Sequence, residues 1–275
     1  MQVQLEALEA CHVRAYSPSA HPFATKTRSP LIDADVDAYG IDIYAGNGTV
    51  RQMLNAACAT TPASQKGSQR VTWSVGPSTS APRREQFAAE LPALGFTEKR
   101  SNLLVLEELQ SVQQPGFVSN EAVARVEEVS QDEGVKLSVE NIAVAFGIAP
   151  PTSQFVVNMA KGMMALAYGP GTGFRCFSVY NEDRTEAIAT VLLILDFDAK
   201  VGWLHSISVL EAHRRQGLAA ALCQRCILVC QESGMHSLGL KVSKSGASNL
   251  YSRFGFTSAD TWMSYHGSWT MEREA

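Results

Sequence analysis

The sequence is short of charge of either sign and of long apolar runs, and each shortage closes off a class of function. Charged residues make up 18% of the 275 positions and hydrophobic residues 45%, so the chain lacks the charge excess of disordered segments and has material for packed cores. It is expected to fold as a soluble globule. There is no basic surplus: 23 Lys and Arg stand against 27 Asp and Glu, a net charge of -4, whereas nucleic-acid binding needs a cationic face that displaces phosphate counterions. No nucleic-acid partner is expected. The longest apolar segment, Ala187 to Leu195, is too short to cross a bilayer, and its flanks Glu186 and Asp196 suit a buried strand. Glu6 and Glu9 interrupt the N-terminus before an apolar stretch develops, so neither a secretory signal nor a membrane partner is expected, and the location expected is cytoplasmic. Cysteine is sparse as well: 6 in a chain too large to need disulfide staples read as free thiols.

What is present divides into two halves. The length exceeds the usual single-domain size, and Gln113-Gln114-Pro115-Gly116 interrupts both helical and strand periodicity, so the expected domains are 1–115 and 116–275. In the first half, Leu5 to Tyr16 reads as a helix, Gly40 to Tyr44 as a strand and Thr60 to Arg70 as an exposed loop. Arg70 to Val75 alternates as a strand closed by Gly76-Pro77. Pro82 then opens a helix with a kink position at Pro92 and an end near Gly95, and Ser101 to Leu109 resumes as a strand. In the second half, Asn120 to Gln131, capped by Asn120, and Thr152 to Ala167 read as helices. Phe174 to Tyr180 and Ala187 to Leu195 form a hairpin, followed by a strand from Trp203 to Val209, a helix from Gly217 to Glu232 ended by Gly234, a strand through Leu238, Leu240 and Val242, and a short helix ending at Phe254-Gly255-Phe256.

The order strand, loop, glycine, helix N-terminus between Trp203 and Leu218 builds an anion site. The first amides of a helix have no internal partners, and with the aligned peptide dipoles they offer donors and partial positive charge to a phosphate. Arg214-Arg215-Gln216-Gly217-Leu218-Ala219-Ala220 places two cations at that end, while Gly217 and Ala219 leave room for a diphosphate to approach the backbone. As a bare string the same residues fit an ordinary solvated turn. Cys223, Cys226 and Cys230 share a helix with Leu222 and Val229 and have no second pair or nearby histidine to complete a zinc site, so no metal is expected. Gly169 to Gly173 lacks the lysine of a phosphate-binding loop and reads as a flexible loop, and His213 and His266 read as surface or pocket lining.

Val209, Arg214, Gly217 and Ala219 stand in the register of the acetyl-CoA signature of the GNAT superfamily, and Ala247, Leu250, Tyr251, Gly255 and Phe256 resemble a second element of that family downstream. Within it, Leu204-His205 with the loop Arg214 to Gly217, and Tyr251 to Phe256, are most similar to the arylalkylamine N-acetyltransferases. Trp203 stands where those enzymes carry a first histidine, and Ser243-Lys244 where many GNAT enzymes carry an asparagine. Trp73 to Ser78 and Leu94-Gly95-Phe96 resemble the degenerate N-terminal domain of tandem GNAT proteins, without the cofactor loop. The resemblance implies an α/β (α+β) fold with a mixed, mostly antiparallel GNAT sheet flanked by helices. It also implies acetyl-CoA as co-substrate, bound through Ile207, Ser208, Val209 and Arg214 to Ala220. The first half would then complete the acceptor pocket or stabilise the second.

Transfer to an amine requires the neutral amine, and a lysine-like amine with a pKa of about 10.4 is almost wholly protonated near pH 7. His205 is the candidate base, on the expectation that it shares a strand face with Ile207 and Val209. By resemblance, the Val209 N–H meets the oxyanion and Tyr251 donates a proton to the leaving thiolate. A strand histidine of the core or surface, and a tyrosine packed beside Phe254 and Phe256, are the alternatives. The partner expected is an amine-bearing acceptor, either a small molecule or a protein, which the net negative charge suits if it is cationic. The oligomeric state is left open, a homodimer included. Two other functions stay open: a CoA-binding regulatory or interaction module without chemistry, and transfer from another acyl-CoA.

Overall fold

Runs of alternating apolar residues, cut by Gly, Pro and charged turns, form the strands of this chain. The computed structural model describes residues 7–8, 25–28, 32–37, 40–46, 49–59, 69–113, 118–130, 132–150, 156–157, 160–161, 173–243 and 248–270. In chain order the elements of the first half are β1 (Thr25–Arg28), β2 (Ile32–Asp37), β3 (Gly40–Gly46), α1 (Val50–Ala59), β4 (Gln69–Val75), α2 (Ala81–Ala93) and β5 (Thr97–Leu106). The second half contributes α3 (Asn120–Ala124), β6 (Glu127–Glu128), α4 (Asp132–Ala145), β7 (Phe174–Tyr180), β8 (Ala187–Asp196), β9 (Val201–Val209), α5 (Leu218–Glu232), β10 (Ser237–Ser243), α6 (Ser248–Arg253) and β11 (Thr257–Trp269).

Among the described residues, all the strands join one 11-stranded sheet in the order β1-β2-β3-β4-β11-β5-β10-β9-β8-β7-β6. Of these pairings β3–β4 and β9–β10 are parallel and the rest antiparallel, so the sheet is mixed and mostly antiparallel, as expected. The strand order crosses the expected boundary in both directions. β5, from the first half, lies between β10 and β11, while β11, from the end of the chain, lies between β4 and β5. Each half thus lends its last strand to the other: β4–α2–β5 and β10–α6–β11 are the same unit, and their final strands pair antiparallel, with Thr257 opposite Val105 and Thr97 opposite His266.

Both faces of the sheet are covered, and the period-2 alternation of each strand decides which core a residue joins. Phe177, Val191, Leu193 and Leu204 pack under α5, whereas Cys176 and Leu192 pack under α4 on the opposite face. Along β5, Leu104 and Leu106 join the α5 core, while Leu103 and Val105 join Trp203, Trp262 and Leu8. Trp203 and Trp262 meet at 6.3 Å between ring centroids, a tilted aromatic contact. Gly239 makes this possible, because a Cβ there would lie 2.8 Å from Leu8 and 3.0 Å from the Trp203 ring. A further core under α1 and α2 gathers Ile43, Met53, Leu54, Trp73, Phe87 and Tyr265.

Several sequence expectations change. The helix expected over Asn120 to Gln131 is only α3, and its cap is Ser119, whose hydroxyl accepts from the Ala122 N–H at 3.1 Å. The longer helix, α4, begins at Asp132 and was not expected. Gly134 weakens its helical signature, and the structure explains that glycine: a Cβ would sit 3.0 Å from both the Tyr180 hydroxyl and Val129. The strand expected from Ser101 starts earlier, at Thr97, because β11 pairs with the polar run Thr97-Glu98-Lys99-Arg100 and holds it extended. β11 itself was not anticipated. The rest of the expected helix over Leu5 to Tyr16, most of that over Thr152 to Ala167, most of the loop over Thr60 to Arg70, the linker centre and most of the Gly169 to Gly173 run lie outside the described residues.

Candidate acyl-CoA site

β9 and β10 run side by side only part of the way. Their parallel pairing ends at Leu204 opposite Leu240, although β9 continues to Val209 and β10 to Ser243. Two parallel strands that stop pairing leave an edge of backbone donors and acceptors on each side of the gap. On its other side, β9 departs from regular pairing with β8: Thr190 faces Ser208 and Leu192 faces His205, so Ser206 and Ile207 together oppose one residue. Ser206 adopts φ +54° at this bulge.

Backbone alternation then settles where Val209 points. The Leu210 N–H donates to the Ile188 carbonyl of β8 at 3.0 Å, so the N–H and C=O of the preceding residue project from the opposite edge, into the gap toward β10. In agreement, the Val209 carbonyl accepts from Arg214 Nε at 3.3 Å.

The bulge also overturns the expected orientation of His205. Two residues opposite one reverse the alternation: Ile207 and Val209 pack against the α5 core, whereas His205 faces Leu192 across the ladder, on the α4 side. His205 is half-buried, with Nδ1 2.5 Å from the Ser206 hydroxyl. Tyr251 of α6 belongs to the α5 core, at 7% exposure, with its ring edge-on to Phe256 at 5.9 Å. Burial raises its hydroxyl pKa well above the ordinary value, with a smaller contribution from the nearby Cys223 thiol. The candidate base and acid therefore lie on opposite faces of the sheet.

The loop leading to α5 is open to solvent. Arg214, Arg215, Gln216 and Gly217 are exposed, and Leu218, at 2% exposure, anchors the helix in the core. Ala219 is half-buried and Ala220 buried. Arg215 and Gly217 both take positive φ, +67° and +79°, which a glycine accepts readily at the second position. Nothing lies within 4 Å of a Cβ built on Gly217, no side chain caps the helix, and its first turn has no acidic residue. The end thus presents unpaired amides beside two guanidinium groups, an arrangement into which a diphosphate fits. The first half has the same splay, since β3–β4 pairing stops at Ile43 opposite Trp73, but a different helix end. There the Thr49 hydroxyl accepts from the Gln52 N–H at 3.2 Å and the Gln52 side chain accepts from the Thr49 N–H at 3.0 Å. This capping box uses the donors that an anion would need.

Other candidates separate from this site. Cys223, Cys226 and Cys230 are fully buried in the α5 core, where burial raises the thiol pKa values of Cys223 and Cys226, and no group of three metal-ligating side chains occurs among the described residues. Trp203 is a core residue at 1% exposure. His213 is half-buried in the turn before Arg214, and His266 lies between the hydroxyls of Thr72 and Ser264, at 3.4 and 3.0 Å. A cavity of about 310 Å³ opens at the far edge of the sheet, by β6, but Glu127 there is paired with Arg184 and Glu128 with Arg175.

Residues 161–256 match the acetyltransferase (GNAT) family. The matched segment contains β7 to α6 and with them the bulge, the loop and Tyr251. The fold of nearly the whole chain is similar to solved GNAT structures. A GCN5-related N-acetyltransferase from Sphaerobacter thermophilus is 18% identical with a TM-score of 0.58, covering 86% of this chain and 76% of that one. One from Kribbella flavida is 16% identical with a TM-score of 0.55, over 95% of each chain. A tandem GNAT protein from the clavulanic acid biosynthesis pathway is 13% identical with a TM-score of 0.55, covering 86% and 78%. At these identities the likeness is one of fold. No curated protein matches the chain. Among the described residues, no helix is long and apolar enough to cross a membrane.

Proposed function

We propose that this protein is an acyl-CoA-dependent N-acyltransferase that moves an acetyl group from acetyl-CoA to a primary amine by direct attack. The observation that carries the reading is the exposed, uncapped N-terminus of α5, with Arg214 and Arg215, at the mouth of the gap between β9 and β10. When bound, acetyl-CoA supplies an activated acyl thioester. The amides of Leu218 to Ala220 and the two guanidinium groups hold the diphosphate, and the free edge of β9 from Ile207 to Val209 lines the gap. The Val209 N–H, which projects into that gap, suits negative charge developing on the carbonyl oxygen. His205, on the α4 face, takes the proton of the acceptor amine. Tyr251, kept protonated by burial on the α5 face, donates to the departing thiolate. Acceptor and leaving group are then served from opposite sides of one strand.

The acceptor we propose is an amine-bearing small molecule or protein, which the net negative charge suits if it is cationic. We assign the donor site to residues 116–275 and a supporting role to 1–115, because the capping box at α1 competes for the amides that a diphosphate would use. A cytoplasmic location fits this reading. The burial of Tyr251 favours a second reading, a CoA-binding module in which the tyrosine only packs. The test is to mix the protein with acetyl-CoA and a panel of amines and follow released CoA. Turnover that falls at least tenfold in both His205→Ala and Tyr251→Phe supports transfer. Tight CoA binding without turnover of any amine sinks it and leaves the second reading.

A further inference from the structure

The bulge in β9 needs something to hold it. It interrupts the ladder and places a non-glycine residue, Ser206, at positive φ, a conformation that persists only where surrounding contacts determine it. Such a contact comes from α4. Asn141, in the middle of that helix and 2% exposed, reaches two strands: its Nδ2 donates to the Ala187 carbonyl at the start of β8, 2.7 Å away, and its Oδ1 accepts from the Ser208 hydroxyl at 2.5 Å. Ser208, 3% exposed, is the first residue after the bulge to resume pairing with β8, and its hydroxyl also lies 3.3 Å from the carbonyl of its cross-strand partner Thr190.

A row of fully buried hydroxyls extends the connection back into α4. The Thr190 and Ser178 hydroxyls are 2.9 Å apart and those of Ser178 and Ser138 2.8 Å, and the Ser138 hydroxyl donates to the Gly134 carbonyl at 2.7 Å. An apolar core would pack α4 on this sheet without fixing where β9 breaks its alternation. A satisfied polar network specifies one arrangement, because any slip leaves buried donors and acceptors unpaired.

We propose that Asn141 and Ser208 are positioning residues for acyl transfer. By clamping β9 immediately after the bulge, they keep the Val209 N–H aimed into the gap and His205 on the opposite face. This rests on the proposed function, and two measurements separate the two. Ser208→Ala removes the clamp from the strand side, Asn141→Leu removes it from the helix side at similar volume, and Ser208→Thr retains the hydroxyl.

In both clamp-removing variants kcat is expected to fall tenfold or more, with KM for acetyl-CoA and calorimetric Kd for CoA within threefold of the parent, since the diphosphate end is untouched. Ser208→Thr is expected to recover most of the rate. Independently of turnover, amide hydrogen exchange at residues 205 to 209 should accelerate in Ser208→Ala and Asn141→Leu, and not in Val229→Ala, which trims the α5 core away from the bulge. Unchanged kcat and unchanged exchange in the clamp variants overturn the proposal. So does a loss of rate that Val229→Ala reproduces in proportion to its loss of stability. If the parent turns over no amine, the proposed function fails while the exchange arm still decides whether the clamp holds the bulge. If Ser208→Ala does not fold, Asn141→Leu carries both arms.

Discussion

Gly217 offers a clean test of the diphosphate site because the same chain contains its control. Gly217 and Gly95 both have positive φ, +79° and +86°, and in both cases an added Cβ meets nothing within 4 Å. Neither substitution to alanine clashes with the protein, so each costs chiefly the left-handed backbone strain of an L-residue, about 1–2 kcal/mol. For a chain of this size that corresponds to a fall in Tm of about 2–8 °C, and the two variants should fall by similar amounts. Their ligand binding should differ. Gly95 follows the C-terminal end of α2, whereas the new methyl at Gly217 stands at the N-terminal end of α5, in the approach to the amides of Leu218 to Ala220. Relief of the strain would also turn those amides away.

The expected result is a CoA Kd at least tenfold weaker in Gly217→Ala, about 1.4 kcal/mol, and within twofold of the parent in Gly95→Ala. Differential scanning calorimetry gives the first quantity and isothermal titration with CoA the second. Equal Tm losses with equal CoA affinities would refute the placement of the diphosphate at α5. Gly217→Asn sharpens the comparison, since asparagine tolerates the left-handed region: it should recover stability but not affinity.

Three further outcomes follow from other parts of the fold. Burial raises the Cys58 thiol to about 11 and Cys176 to about 12, and lifts Cys223 and Cys226 as well. At pH 8 these thiols stay protonated and enclosed, so Ellman's reagent should modify none of Cys58, Cys176, Cys223 and Cys226 before unfolding, as peptide mapping would report. Arg175 is 8% exposed and clasps Glu128 through two bonds of 2.7 and 2.6 Å, so Arg175→Ala, which leaves the half-buried Glu128 carboxylate without this partner, should cost about 1–3 kcal/mol in chemical denaturation. The pair Arg175→Met with Glu128→Leu should recover most of that loss. Expression of 116–275 alone should give insoluble protein, because it lacks β5 and leaves the edges of both β10 and β11 open. Co-expression with 1–115 should restore a soluble complex, detectable by size-exclusion chromatography.

The truncation experiment marks the division between local and tertiary information in this protein. β7, β8, β9, α5, β10 and α6 were legible because each buries a face against neighbours close in sequence, so its periodicity and its Gly stops coincide with its ends. The loop from Arg214 to Gly217 was legible for a related reason: helix N-termini, positive φ and adjacent cations are local properties, and they create an anion site wherever the chain places them. Three features depend on residues remote in sequence. β11 and the first turns of β5 are extended because they pair with each other across the middle of the sheet, and Thr97-Glu98-Lys99-Arg100 carries no apolar alternation that would announce a strand. The bulge at Ser206 and Ile207 is set by β8 and by Asn141 of α4, some 65 positions away, which is why His205 and Val209 were expected on one face and lie on two. Asn141 itself reads as one of several polar residues in an amphipathic helix, and only the contact between α4 and both strands gives it a task. Composition and spacing determined that an uncapped helix end lies beside two cations. Which backbone edge and which side chains face it was decided by hydrogen bonds between segments brought together by folding, because strand register and face are properties of a pair of strands and of no single one.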